Sequence, residues 1–122
     1  MNSLIKGIGM DLIELTRIRN SIERNPRFIE RILTVSEQEL FYQLSTDNRR
    51  AEFLAGRFAA KEAFAKAVGT GIGKLSFQHI EVLPDSHGAP VLIAEGYEHA
   101  TVFISITHSN NYAAAQIVIE DK

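Results

Sequence analysis

The chain has 122 residues, no cysteine and a formal net charge of -2. That length fits one domain burying about two thirds of its unfolded surface, while the missing thiol excludes a disulfide framework, a thiolate zinc site and a cysteine nucleophile. The near-neutral charge argues against a general nucleic-acid binder, and no apolar run reaches membrane-spanning length, so a soluble cytoplasmic protein is expected.

Residues 4–13 are apolar and β-branched and predict a buried strand interrupted by two glycines. Asp11 lies near its end, among Ile8, Met10, Leu12 and Ile13. As an unpaired buried charge it would be costly, so it needs a partner, a metal, a solvated edge or a role in capping the next helix. A first helix is predicted from Glu14, carrying Arg17, Ile18, Arg19 and Ile22. Asn25-Pro26 then resets the chain, because asparagine is a good N-cap and proline is favoured at the first helical position. A second short helix follows over residues 27–33. Five arginines stand against two glutamates between Arg17 and Arg31. This basic surface beside Ile18, Ile22, Phe28, Ile29 and Ile32 suits an acidic amphipathic partner, and equally suits a solvated basic face on core-packed helices.

Ser36 with Glu39 has the spacing of a capping box, predicting a helix over residues 36–44 that stops in the polar turn at 45–48. Arg49, Arg50 and Arg57 put three positive charges on the approach to the central helix and on its first turns. Cations oppose the positive end of a helix dipole, so their placement hints at an external anion. The central stretch, residues 53–73, begins as an alanine-rich helix and ends at Gly69, Gly71 and Gly73, which can stop a helix or let a phosphate-sized group approach. Glu62 and Lys66 are one turn apart on one face, at roughly 5–6 Å between β-carbons, a spacing that by itself is usually a solvated surface pair. Phe58 places an apolar anchor on that face.

Strands are predicted at residues 77–83 and 91–94 around a Pro-Asp-Ser-His-Gly turn, then a short helix at 95–100. A second hairpin pairs residues 102–107 with 112–120 through His108-Ser109-Asn110-Asn111. His79, His87 and His99 have no ligand at metal spacing in a shared element and are taken as structural or solvated. His108 differs in sitting at a strand-end loop, held by rigid strands yet accessible. The prediction is an α+β domain spanning residues 1–122, with helices packed on a mostly antiparallel sheet built from both ends.

GIGMDLIEL at residues 7–15, FLAGRFAAKEAFAKAVGTGIG at 53–73 and ISITHSNNYAAAQIVIE at 104–120 together resemble the holo-acyl-carrier-protein synthase family of the phosphopantetheinyl transferase superfamily. The resemblance runs in order over nearly the whole chain. It implies transfer of the phosphopantetheine arm of coenzyme A to a serine of apo-acyl carrier protein in fatty acid biosynthesis, with release of adenosine 3',5'-bisphosphate. On that resemblance Asp11 and Glu62 match the two magnesium-ligating carboxylates and Lys66 the lysine at the phosphates. Thr107 and His108 match coenzyme A contacts supplied by a neighbouring subunit of a homotrimer. Arg49 and Arg57 fall where basic residues meet the 3'-phosphate, with Arg50 the alternative to Arg49, and Arg17, Arg24, Arg27 and Phe28 match the carrier-docking face. Phe58 stands where many relatives carry tryptophan. An alternative of another class is a degenerate module that docks acidic carriers without catalysis.

Overall fold

The computed structural model describes residues 4–72 and 75–121; Gly73 of the glycine cluster lies outside the described residues. In chain order the elements are β1 (Ile5–Glu14), α1 (Leu15–Arg24), α2 (Arg27–Ile32), α3 (Val35–Gln43), α4 (Asp47–Val68), a 3-10 turn (Phe77–His79), β2 (Ile80–Pro84), β3 (Pro90–Ala94), β4 (Ala100–His108) and β5 (Tyr112–Asp121). The α+β prediction holds. The antiparallel sheet has the order β1-β5-β4 and so joins the two ends of the chain, while β2 and β3 form a separate two-stranded ribbon.

The two glycines in β1 set how strand and helix meet. A β-carbon on Gly9 would stand 1.9 Å from the Ala63 carbonyl oxygen, and one on Gly7 would stand 2.0 Å from that of Ala67. Only glycine lets the strand lie directly on the backbone of α4 at these two points. Alternate strand residues face the same way, so Asp11 and Ile13 are the next residues turned towards the helix. Beneath α4 the central strand offers small side chains, with Ala113 and Ala115 buried. At its far end α4 stops at Gly69, which takes φ 85° and returns its N–H to the carbonyls of Ala65 and Lys66, a conformation an L side chain would resist.

Several sequence expectations are corrected. The strand over 4–13 is buried on one face only: Ile8, Met10 and Leu12 are 60%, 59% and 65% exposed, because α4 covers just the glycine face. The capping box belongs to Thr34 and Glu37, not Ser36 and Glu39. Thr34 Oγ1 accepts the Glu37 N–H and Glu37 Oε1 accepts the Thr34 N–H, which places Ser36 inside α3. The central helix begins at Asp47, capped by Thr46, so half of the expected polar turn belongs to its first turn and Thr46 is its cap. Residues 77–79 form a 3-10 turn ahead of the strand. The helix expected at 95–100 is a succession of turns, in which Tyr97 and Ala100 each bond three residues back and Gly96 takes φ 89°. The chain does restart at Asn25-Pro26, shifted by one residue: Pro26 stands at the N-cap and Arg27 is the first helical residue, its N–H donating to Asn25 Oδ1.

Candidate active site

Asp11 leaves β1 two residues beyond Gly9, at the level of α4 where Glu62 and Lys66 project. Its side chain is 15% exposed, and Lys66 Nζ donates to its Oδ1 at 3.0 Å. Lys66 also donates to the Met10 carbonyl at 3.0 Å. The lysine is therefore bridged to the strand, which departs from the solvated Glu62–Lys66 pair that spacing alone suggests. Glu62 is half-buried, and partial burial pushes its carboxyl above the ordinary glutamate value, with the nearby Asp11 charge adding to the rise. Lys66 and Arg17 pull it back down. Asp11, Glu62, Lys66 and Arg17 thus share one electrostatic neighbourhood made by β1, α1 and α4.

A partly buried carboxyl whose ionisation is opposed first by burial and then by the Asp11 charge would be stabilised in its charged form by a cation between the two. They fit magnesium, which takes one or two carboxylates and completes its octahedron from water and substrate phosphate. Among the described residues no group of three or more His, Cys, Asp or Glu converges, so nothing there offers the closed tetrahedral set of a structural zinc.

The remaining predicted residues lie elsewhere in the chain. Arg24 and Arg27 are exposed on α1 and α2, and half-buried Phe28 lies 6.3 Å from the Phe58 ring. Arg49 is exposed on the first turn of α4, whereas Arg50 donates to the carbonyls of Leu44 and Tyr42 and lies against the rings of Phe41 and Tyr42. Arg50 is thus tied into the end of α3, which favours Arg49 as the arginine open to an anion. Arg57 donates Nε to the Val82 carbonyl at 3.2 Å and lies 4.1 Å over the Phe53 ring. Burial lowers its pKa, against the raising influence of Glu37.

Thr107 and His108 are exposed at the end of β4. His108 Nδ1 is 3.5 Å from Glu52 Oε2, and Glu52 is ten residues before Glu62 on α4, about 15 Å along the axis. Within one chain Asp11, Glu62, Lys66 and Arg17 come together; Thr107 and His108 stay apart from them.

A second charged cluster lies inside the core, where spacing among the charged residues gives no sign of it. Lys61 and Glu37 are fully buried and 2.6 Å apart. Burial lowers the lysine pKa, with Glu37 acting in the opposite direction. The available signal was position: Lys61 lies seven residues after Leu54, on the apolar stripe of α4.

The family model of the 4'-phosphopantetheinyl transferase superfamily matches residues 7–117. The holo-[acyl-carrier-protein] synthase of Oceanobacillus iheyensis is 56% identical over 119 residues, covering 98% of this chain and 99% of that protein. The Bacillus subtilis enzyme of the same name is 57% identical over 118 residues, covering 96% and 97%. Among solved structures, the holo-(acyl-carrier-protein) synthase of Bacillus anthracis in complex with CoA (3',5'-ADP) superposes with a TM-score of 0.89 at 50% identity, covering 97% of this chain and 98% of that one. The Helicobacter pylori synthase in complex with coenzyme A gives 0.80 at 34% identity, covering 92% and 98%.

Proposed function

The chain belongs to the 4'-phosphopantetheinyl transferase superfamily, and from that premise we propose how its residues carry out the reaction of a holo-acyl-carrier-protein synthase. The protein transfers 4'-phosphopantetheine from coenzyme A to a serine of apo-acyl carrier protein and releases adenosine 3',5'-bisphosphate. The observation that carries the residue assignment is the meeting of Asp11, Glu62 and Lys66 where β1 lies bare against α4.

Asp11 and Glu62 would hold a magnesium ion, which would supply charge neutralisation and Lewis acidity at the pyrophosphate. Lys66, a mobile point charge, offsets charge developing on the transferring group and on the leaving bisphosphate. The serine oxygen bonds to the phosphorus that carries the pantetheine arm, while the bond from that phosphorus to the departing nucleotide phosphate breaks. Glu62, directly or through a water, takes the serine proton. Arg49 and Arg57 face the nucleotide 3'-phosphate. Arg17, Arg24, Arg27 and Phe28 dock the acidic carrier, and Arg17, which acts electrostatically on Glu62, links that face to the reacting group.

The active unit is a homotrimer. The number three rests on the family resemblance; association itself is supported by the uncovered sheet face bearing Ile8, Met10, Leu12, Phe103 and Tyr112, each 44–65% exposed, a patch typical of protein contacts. Assembly through that face brings Thr107 and His108 of one subunit to the carboxylates of the next, a juxtaposition about 15 Å out of reach along α4 within one chain. Residues 1–122 act as one domain, in fatty acid biosynthesis in the cytoplasm. No helix among the described residues is long and apolar enough to cross a membrane.

The test is intact-mass measurement of a purified apo-acyl carrier protein after incubation with this protein, coenzyme A and magnesium, beside an EDTA control. A gain of one phosphopantetheine that EDTA abolishes is expected. No gain with several apo-carriers would overturn the reading, and a gain untouched by EDTA would overturn its metal.

A further inference from the structure

Outside the candidate active site, the charged side chains of Lys61 and Glu37 are completely buried. Besides Glu37, Lys61 Nζ donates to the Ile32 carbonyl at 2.7 Å and the Phe77 carbonyl at 3.1 Å. Glu37 accepts the Thr34 N–H on Oε1 at 2.8 Å and the Val82 N–H on Oε2 at 2.7 Å. Arg57, one turn before Lys61, donates to the carbonyl of the same Val82. Lys61 and Glu37 by themselves therefore tie together the end of α2, the start of α3, the middle of α4, the 3-10 turn and β2.

Stability alone does not require such a network, since well-packed apolar side chains of similar volume hold as well or better than a buried ion pair. A fully satisfied polar network selects one geometry. Here that geometry relates α2, which carries Arg27 and Phe28, to α4, where the residue after Lys61 is Glu62. Helix α2 has only six residues, too few to hold its own position. An aromatic seam runs beside the network, with Phe28 6.3 Å from Phe58 and Phe58 stacked at 5.5 Å on Phe77. At the exposed end, Gln78 Nε2 donates to the carbonyls of Glu30, Arg31 and Leu33.

We propose that Lys61 is a positioning residue: through Glu37, Ile32 and Phe77 it holds the carrier-docking helix α2 at a set distance from Glu62, so that a docked carrier presents its serine to the phosphorus. The proposal rests on the functional reading above.

Lys61→Met alone strands Glu37 as a buried unpaired charge and is expected to unfold much of the protein. The experiment therefore uses Glu37→Gln/Lys61→Met, which removes both charges, and Gln78→Ala, which frees the end of α2 from an exposed position. Transfer kinetics for apo-carrier and for coenzyme A, and amide hydrogen exchange, are measured beside the unmodified protein. Expected for the double variant are a KM for coenzyme A within twofold of the unmodified protein, kcat/KM for apo-carrier at least tenfold lower, and faster exchange in α2 than in β1. For Gln78→Ala, kcat/KM for apo-carrier should fall at least threefold, so the idea survives to be judged even if the double variant does not fold. Unchanged carrier kinetics in a folded variant, or equal losses toward both substrates with exchange accelerated everywhere, would overturn the proposal and leave a purely structural pair. An unmodified protein that transfers nothing would instead bring down the functional reading and this proposal with it.

Discussion

Gly9→Ala tests the contact on which the site is built. The added β-carbon would lie 1.9 Å from the Ala63 carbonyl oxygen and 2.9 Å from both the Ala63 carbonyl carbon and the Ala67 nitrogen. Carbon–oxygen contacts of this kind settle near 3.3 Å or more, so strand and helix must separate by about 1.4 Å. All three neighbours are helix backbone, which cannot rotate away. Overpacking of this sort costs about 1–3 kcal/mol or more, and alanine returns up to about 1 kcal/mol by restricting the unfolded chain. A net loss of about 2 kcal/mol should lower the melting temperature by roughly 8 °C for a chain of this size. The same displacement stretches the 3.0 Å bond from Lys66 to Asp11, and misplacement by about 1 Å at a reacting centre can cost a hundredfold in rate. Thermal unfolding at one fixed protein concentration, since an oligomer's midpoint moves with concentration, with transfer assayed on the same samples, makes the comparison. Gly56→Ala is the control: its β-carbon would meet only the Ile106 Cγ2 methyl at 3.0 Å, and helix propensity favours alanine by up to about 1 kcal/mol. A Gly9→Ala protein melting within about 2 °C of the unmodified one, or a Gly56→Ala protein equally damaged, would mean that the site does not depend on the bare contact of β1 with α4.

Glu62→Gln should lower transfer at least about a hundredfold, the usual contribution of a positioned acid or base, while the protein stays folded by circular dichroism; retention of a tenth of the activity or more would count against its role. In the absence of magnesium the same substitution should stabilise the protein at neutral pH. The folded-state pKa of Glu62 is raised, so folding favours its protonated form, and stability falls as pH rises from the ordinary 4.5 through the raised value. The advantage of Gln should vanish below pH 4.5, and chemical denaturation that finds it equally large there would sink the assignment. If neighbouring subunits share sites, inactive His108→Ala and Glu62→Ala proteins, unfolded and refolded together in equal amounts, should recover about a quarter of the normal activity, because random mixing leaves that fraction of shared sites intact; no recovery in a mixed oligomer confirmed by native mass spectrometry would place the site within one chain. Arg24→Glu and Arg27→Glu should raise KM for apo-carrier and flatten its salt dependence without altering KM for coenzyme A, and steady-state kinetics at two ionic strengths would read either outcome.

What could be read along the chain was whatever depends on spacing. The two hairpins, the α1 and α2 helices with their Asn25-Pro26 junction, the glycine stop of α4 and the order of elements all follow from periodicities and turn residues carried within a few positions. Asp11, Glu62 and Lys66 stood out as oddities in apolar or alanine-rich settings, and their collective meaning came from a resemblance spread over three segments. The misplaced capping box shows where such reading fails. Thr34 and Ser36 are both competent caps with a glutamate three residues on, and the choice falls to Thr34 because Glu37 is drawn inward by Lys61 and the Val82 N–H, partners 24 and 45 residues away in sequence.

Local propensity and side-chain identity were enough for the α+β class, the chain order of the elements and the chemical types available at the site. Long-range contacts, by contrast, make Lys66 reach Asp11 rather than Glu62, tie Arg50 to α3 while Arg49 stays exposed, leave β1 bare on one face and turn Lys61 into a buried tie. Each of those outcomes turns on which backbones come into contact. That is fixed by the absence of two β-carbons, at Gly7 and Gly9, opposite carbonyls more than fifty residues along the chain.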